Sequence, residues 1–281
     1  VIRVYFSTRS KIDKEGNFIS NTSYLDLDKN DPTKILYIHN KPLFDLGDFG
    51  AFDEFGVMVT DVLEHNDKVY LYYAGWQRLG GGTAAYQVML GLAISEDKGK
   101  TFKKVSKGPI MSIDYYDHIS IGNVAVTVEN DEWKIYYTNL TEWVLSGEKP
   151  TYEYEIKYAT SKDGIFWEKT NKVVIGIENG SGVATPTVHK IDDEYHMWFG
   201  YRKTYNDENK VGGYKIGYAT SLNGVDWDRN DNKSNIKAAN EGWDSEMICY
   251  PDLVQIEDNT YMFYCGNGFG KDGFGVAKLV L

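Results

Sequence analysis

One short signature occurs four times in the 281 residues, and it limits the fold more than any other feature. Leu90-Gly91-Leu92-Ala93-Ile94-Ser95, Ile156-Lys157-Tyr158-Ala159-Thr160-Ser161, Ile216-Gly217-Tyr218-Ala219-Thr220-Ser221 and Phe274-Gly275-Val276-Ala277 align on alanines spaced 66, 60 and 58 residues apart. A fixed period of this length marks a repeat architecture. Three copies run into a turn and an aromatic: Asp97-Lys98-Gly99 then Phe102, Asp163-Gly164 then Trp167, Asn223-Gly224 then Trp227. Asp-Gly and Asn-Gly accept positive φ at little cost and close hairpins. Ahead of each signature lies an aromatic strand of period two (Val69–Tyr73, Trp133–Tyr137, Tyr195–Phe199, Tyr261–Tyr264). Ahead of that come an acidic turn and an apolar strand (Val59–Leu63, Val124–Val128, Thr187–Ile191, Asp252–Ile256). Each unit is thus four antiparallel strands joined by short turns, and no stretch of useful length has helical periodicity.

Residues 1–46 form a partial unit, with Ile2–Phe6, Ser20–Asp28 and Lys34–His39 matching the second, third and fourth strands. The expected fold is all-β: a five-bladed β-propeller of four-stranded antiparallel blades, as one domain over 1–281. The blades fall near 1–46, 47–110, 111–176, 177–238 and 239–281, and the first is incomplete at its N-terminal side. An upstream segment is expected to supply the inner strand of the first blade and the outer strand of the fifth, and to raise the melting temperature. A β-sandwich also uses short, regularly spaced strands, but it gives no reason to repeat a four-strand motif with turns in register.

Composition narrows the partners. A net charge of −11 and pI of about 5.0 argue against nucleic acid and against an anionic membrane surface. No apolar run reaches about 18 residues. Aromatic content of 15%, with 22 Tyr, favours strands and planar or sugar-like ligands. No Cys/His metal spacing, phosphate-cradling Gly loop before a helix, or Gly-x-Ser-x-Gly elbow occurs, so no cofactor or metal is expected. The Gly-rich stretches Leu79–Thr83 and Gly266–Gly275 read as rim loops. A hairpin over 247–257 and 260–266 places Cys249 opposite about position 268 and Cys265 opposite 252, out of reach of a bridge. Two unpaired thiols fit a reducing, cytoplasmic compartment. Oligomeric state is not legible.

Two strand lead-ins share an outline: Ala51–Val62 and Gly242–Leu253 each carry an aromatic and an Asp, with a second Asp eight positions on (Asp53 and Asp61, Asp244 and Asp252). Superposed on Val62, Val126, Val188 and Leu253, the units place Asp53, Asp117, Asn179 and Asp244 nine positions earlier. The second-strand ends align Arg9, Trp76, Leu140, Arg202 and Asn267. Pseudo-symmetry then gathers each set, and Asp53, Asp117 and Asp244 are expected in one axial pocket beside Glu246 and Arg202. The plainer reading makes these acids turn caps and Arg202 an ion-pair partner. Glu54 is a further carboxylate at a strand lead-in.

The phrases Gly50–Val57 (G-x-F-D-E-x-G-V), Tyr195–Arg202, Trp243–Pro251 and Gly266–Ala277 together resemble the five-bladed β-propeller glycoside hydrolases, the superfamily of families 43, 32, 68 and 130, and within it a bacterial hydrolase-like branch. The resemblance implies three acids on inner strands: a base or nucleophile on blade one, an orienting Asp on blade two, and a Glu acid later. Asp117-His118-Ile119-Ser120 stands where blade three would carry that Glu. The turns at Asp97, Asp163 and Asn223 resemble the structural rim Asp-boxes of sialidases. The expected activity is cleavage of a glycosidic bond by paired carboxylates, with Asp53, Asp244, Glu246 and Asp117 as catalytic candidates. Arg202, Trp76, Arg9, His118, Tyr250 and Asn267 are the candidates for holding a carbohydrate substrate. The alternative is a non-catalytic propeller that binds a glycan or glycoconjugate precursor; acids tied up in ion pairs favour it.

Overall fold

The computed structural model describes residues 1–281 other than 14–15, 17, 80–85, 147–148, 178–181, 203–212 and 280–281, with only the backbone of 10–11, 145–146 and 149–151. Asn179 and Gly80–Thr83 lie outside the described residues. The regular structure of the described part is nearly all strand, in five antiparallel sheets whose strands run in sequence order.

The first sheet holds β1 (Ile2–Ile12), β2 (Phe18–Leu27) and β3 (Ile35–Ile38). The second holds β4 (Val57–His65), β5 (Lys68–Arg78), β6 (Tyr86–Ser95) and β7 (Lys103–Lys104). The third holds β8 (Ser120–Glu129), β9 (Glu132–Ser146), β10 (Lys149–Ser161) and β11 (Glu168–Ile175). The fourth holds β12 (Gly182–Ile191), β13 (Glu194–Arg202), β14 (Lys215–Ser221) and β15 (Asp228–Arg229). The fifth holds β16 (Cys249–Ile256), β17 (Asn259–Cys265) and β18 (Phe274–Leu279). Each sheet is one sequence repeat, as expected, and the first and fifth have three strands.

The chain divides into two compact units, Val1–Asn123 with Asp163–Trp167, and Val124–Lys162 with Glu168–Leu281. In the first unit Phe52, Val57, Leu71, Tyr73 and Ala93 form a core joined by Tyr5, Phe44 and Phe102. In the second, one core runs from Ala125, Tyr136 and Ile156 to Val188, Met197 and Phe199, and another from Trp198 and Tyr218 to Leu253, Met262 and Tyr264. Alternate residues of one strand enter different cores, Met197 and Phe199 one and Trp198 the other, so the middle of β13 is buried on both faces.

The repeated turns join one repeat to the next. The Tyr5 hydroxyl donates to the Gly99 carbonyl (3.1 Å), Tyr72 to Gly164 (2.9 Å) and Tyr136 to Gly224 (2.8 Å). Each tyrosine also meets the turn's aromatic edge-on: Phe102 at 5.7 Å, Trp167 at 6.3 Å and Trp227 at 5.6 Å. The turns are shaped locally by side-chain acceptors. Asp97 Oδ1 accepts from the Lys100 and Thr101 amides, Asp163 Oδ1 from Ile165 and Phe166, and Asn223 Oδ1 from Val225 and Asp226. These bonds hold the Asp97 carboxyl well below the usual carboxylate range, the Thr101 hydroxyl contributing most. Gly224 has φ +69, and a Cβ there would lie 2.7 Å from the Tyr136 oxygen, so the turn needs its glycine twice over.

The cysteine register differs from expectation. Cys249 and Cys265 are direct partners across β16 and β17, not several residues apart. The two-residue turn falls one position earlier, with Ile256 opposite Asn259, and a bulge between Cys249 and Asp252, where Tyr250 takes φ +55, shifts the strand further. Both thiols are free. Burial pushes Cys265 up to about 11 and Cys249 higher still.

Candidate functional site

The two matching lead-ins fold into the same clamp. In the first unit Asp53 Oδ2 accepts from the Tyr73 hydroxyl (3.1 Å), and the Phe52 ring stacks on Tyr73 (6.0 Å, 21°). In the second, Asp244 Oδ2 accepts from the Tyr264 hydroxyl (2.9 Å), and the Trp243 ring lies on Tyr264 (5.2 Å, 30°). Both aromatics reach the glycine two residues past the tyrosine. A Cβ on Gly75 would lie 2.4 Å from the Phe52 ring, and one on Gly266 2.5 Å from the Trp243 ring. The tyrosine stands 20 residues after its Asp in each case. Burial pushes the Tyr264 phenol up to about 12, with the Asp244 bond adding to the effect.

The carboxylates differ in what else covers them. Asp53 is 1% exposed. Its Oδ2 also takes a 2.6 Å ion pair from Lys104, and its Oδ1 faces Gly47 so closely that a Cβ there would lie 2.1 Å away. Asp244 is 9% exposed. Asp117 is as buried as Asp53, and its amide donates to Asp114 Oδ1 (2.9 Å). Glu54 Oε2 accepts from the Gly50 amide (2.8 Å). Glu246 is exposed.

Asn267 spends its amide on the lead-in itself: Oδ1 accepts from the Glu246 and Met247 amides (2.8 and 3.2 Å), and Nδ2 donates to the Gly242 carbonyl (3.1 Å). Glu246 therefore projects from a backbone fixed at both sides. Gly213 packs against that backbone, where a Cβ would meet the Glu246 carbonyl at 2.2 Å, and the Ile248 amide donates to the Tyr214 carbonyl. The Tyr214 ring stands 5.9 Å from the Arg202 guanidinium and 5.7 Å from Phe269, which is 6.4 Å from Tyr250. Arg202 is buried. Its Nε donates to the Tyr154 hydroxyl (2.8 Å) and its Nη2 to the Tyr152 carbonyl (2.6 Å), with both rings within 6 Å of the guanidinium. In the second unit Arg202, Tyr214, Phe269 and Tyr250 form one chain of ring contacts, and the Glu246 backbone, held by Asn267, lies against Gly213 beside Tyr214 in the sequence.

In the first unit Arg9 lies over the Trp76 ring at 4.9 Å, so the structure brings these two candidates together. Trp76 exchanges backbone bonds with Phe55 and Gly56, next to Glu54. His118 is exposed, beside Asp117. Among the described residues no three His, Cys, Asp or Glu side chains come together as a metal site.

Sequence reasoning passed over Asp252. Its Oδ1 accepts from the Thr187 hydroxyl (3.4 Å), which is also 3.2 Å from His189 Nε2. Solvent reaches Asp252, yet protein crowds it, and the desolvation pushes its carboxyl up to about 6. Burial lowers His189 to about 4. The signal was the repeated spacing of Asp61 and Asp252 after the first Asp.

This geometry sits on a known fold. Solved structures covering nearly all of the sequence share the five-bladed β-propeller fold of glycoside hydrolases. A thermostable family-43 glycoside hydrolase matches with TM-score 0.67 at 16% identity, over 99% of this chain and 86% of its own. Another glycoside hydrolase matches with TM-score 0.69 at 15% identity, over 93% and 79%. A member of the GH130 family matches with TM-score 0.56 at 17% identity, over 78% and 65%. The chain itself belongs to the family of the uncharacterized protein Rv1502 of Mycobacterium tuberculosis (strain ATCC 25618 / H37Rv), with 31% identity over 99% of this chain and 88% of that protein. A shorter match, 32% identical over 34% of this chain and 35% of the relative, is to the β-1,2-mannobiose phosphorylase of Thermoanaerobacter sp. (strain X514). No family model matches the sequence.

Proposed function

We propose that the protein acts on a glycosidic bond, with the Glu246 lead-in of the second unit as the reacting centre. The observation that carries this reading is the setting of Glu246. It is an exposed carboxylate on a backbone tied down by Asn267, and that backbone lies against Gly213, the sequence neighbour of Tyr214, whose ring meets Phe269 and stands 5.9 Å from the Arg202 guanidinium. Glycoside cleavage needs one carboxylic acid to protonate the leaving oxygen and one carboxylate as base or nucleophile. Aromatic faces and fixed donors position the sugar. Glu246 is the proton-transferring group in this reading, and Asp244, two positions earlier in the same unit, is the second carboxylate. Fold and the partial likeness to a mannoside phosphorylase support a glycan as substrate.

The test is turnover of nitrophenyl glycosides and short oligosaccharides, with and without inorganic phosphate. Release of free sugar indicates hydrolysis, and release of sugar 1-phosphate indicates phosphorolysis. Glu246→Gln is expected to abolish either one. Full activity in that variant removes Glu246 from the mechanism.

A second reading, a glycan-binding module without turnover, is favoured by one observation. Asp53 is closed on both oxygens and tied to Lys104, so a sugar reaches it only if its loop moves. Binding of a glycan with no product from any member of the panel selects this reading.

A further inference from the structure

The sequence has five arginines, and four have their donors engaged. Arg3 is bidentate to Asp26 (2.7 and 2.9 Å) and Arg229 to Asp231 (3.0 and 2.9 Å). Arg78 pairs with Asp13, and Arg202 bonds Tyr154 and the Tyr152 carbonyl. Arg9 is exposed, and among the described residues the Trp76 ring is its partner. In a protein of net charge −11, a guanidinium with no carboxylate among the described residues stands out, because acids are plentiful enough to have met it.

Two further features show that this side chain is aimed. The β1–β2 register slips between Thr8 and Lys11 against Asn21 and Ile19, so a bulge holds Arg9. Bulges re-aim side chains beside functional sites. Trp76 is itself wedged, with the Tyr86 ring 5.1 Å away and its backbone bonded to Phe55 and Gly56. The indole therefore gives Arg9 a fixed shelf. A guanidinium held over a ring spends no N–H on a carboxylate, and its fork matches two oxygens of one anion.

We infer that Arg9, seated on Trp76 at the bulge of β1, binds an oxyanion carried by a glycan, so that the protein prefers acidic sugars as ligands. The inference rests on the glycan reading above and adds the substrate class. Carboxylate of a uronic acid and phosphate ester share this chemistry.

The test measures binding, which does not depend on turnover. Isothermal titration is run with a galacturonate trisaccharide, its carboxyl-reduced neutral counterpart and a hexose 6-phosphate. Wild type is expected to prefer one acidic ligand over the neutral one by about tenfold or more, and rising salt is expected to shrink the difference. The better acidic ligand identifies the anion. Arg9→Gln is expected to collapse that preference. Arg9→Lys is expected to restore only part of it, since an ammonium keeps the charge and loses the fork. Equal affinity of wild type for acidic and neutral glycans overturns the inference and leaves the glycan reading standing, as does a preference that survives Arg9→Gln. No binding of any of the three overturns the inference and counts against the glycan reading as well.

Discussion

The lead-ins at Phe52-Asp53 and Trp243-Asp244 use one clamp for two ends. In both, an aromatic stacks on a strand tyrosine, the next residue accepts that tyrosine's hydroxyl, and a glycine two positions on leaves room for the ring. At Asp53 the clamp is sealed by Lys104, and the neighbouring Glu54 is turned back onto Gly50. At Asp244 Asn267 holds the backbone from outside, and Glu246 stays exposed. The lesson is that a repeated acid is repeated for the clamp. The proposed chemistry lies at the neighbour, Glu246, that one copy leaves uncovered.

The largest break in this comparison is Lys104→Met. It leaves the Asp53 carboxylate buried without its cation, which costs about 3–5 kcal/mol. A marked fall in the denaturant midpoint is expected, whereas among the described residues Asp244, bonded to Tyr264, has no cation whose loss would do the same. Next is the pair Tyr264→Phe and Tyr73→Phe. The first strips the Asp244 oxygen of its hydroxyl donor and is expected to cost about 1–3 kcal/mol. The second leaves Asp53 its lysine and is expected to cost less. Equal costs in urea melts would show that Lys104 does not make the difference.

A smaller effect concerns pH. Asp252 is raised to about 6, so the folded state holds its proton more tightly than the unfolded chain does, and stability falls as pH rises from about 4 to 6. His189 is lowered to about 4, so stability rises as pH climbs from about 4 to 6.5. The two slopes oppose each other in nearly the same window. Asp252→Asn is expected to unmask a rising melting temperature, and His189→Gln a falling one. Parallel pH profiles in the two variants would show that these groups do not set the dependence. The smallest stability effect is Glu246→Gln, expected within about 0.5 kcal/mol of wild type, as for a surface change. Turnover is where that variant is expected to fail.

Much of the architecture was legible in the sequence because each repeat states it again. The Gly99, Gly164 and Gly224 turns and the aromatic strands are local patterns, and local patterns survive without knowledge of distant partners. The clamp was legible too, in a spacing easily passed over. Tyr73, Tyr137 and Tyr264 each follow an Asp by 20 residues, and where Asn179 replaces the acid, Phe199 replaces the tyrosine. Lys104 could not be read, since it reaches Asp53 across 51 residues with no repeat to announce it. Nor could the meeting of Cys249 and Cys265. It depends on a bulge in which Tyr250, a residue with no intrinsic liking for positive φ, adopts it.

The five residues Asp163–Trp167 belong with the first compact unit although the sequence on either side belongs with the second. Tyr72 holds them there, through Gly164 and Trp167. A single cut cannot free one half of this protein from the other. A fragment ending at Asn123 loses the turn that caps its own Tyr72, and the remainder carries that turn with nothing to close it. Shuffling of modules among such proteins therefore succeeds only where the crossover point moves a repeat together with the turn that its successor lends it.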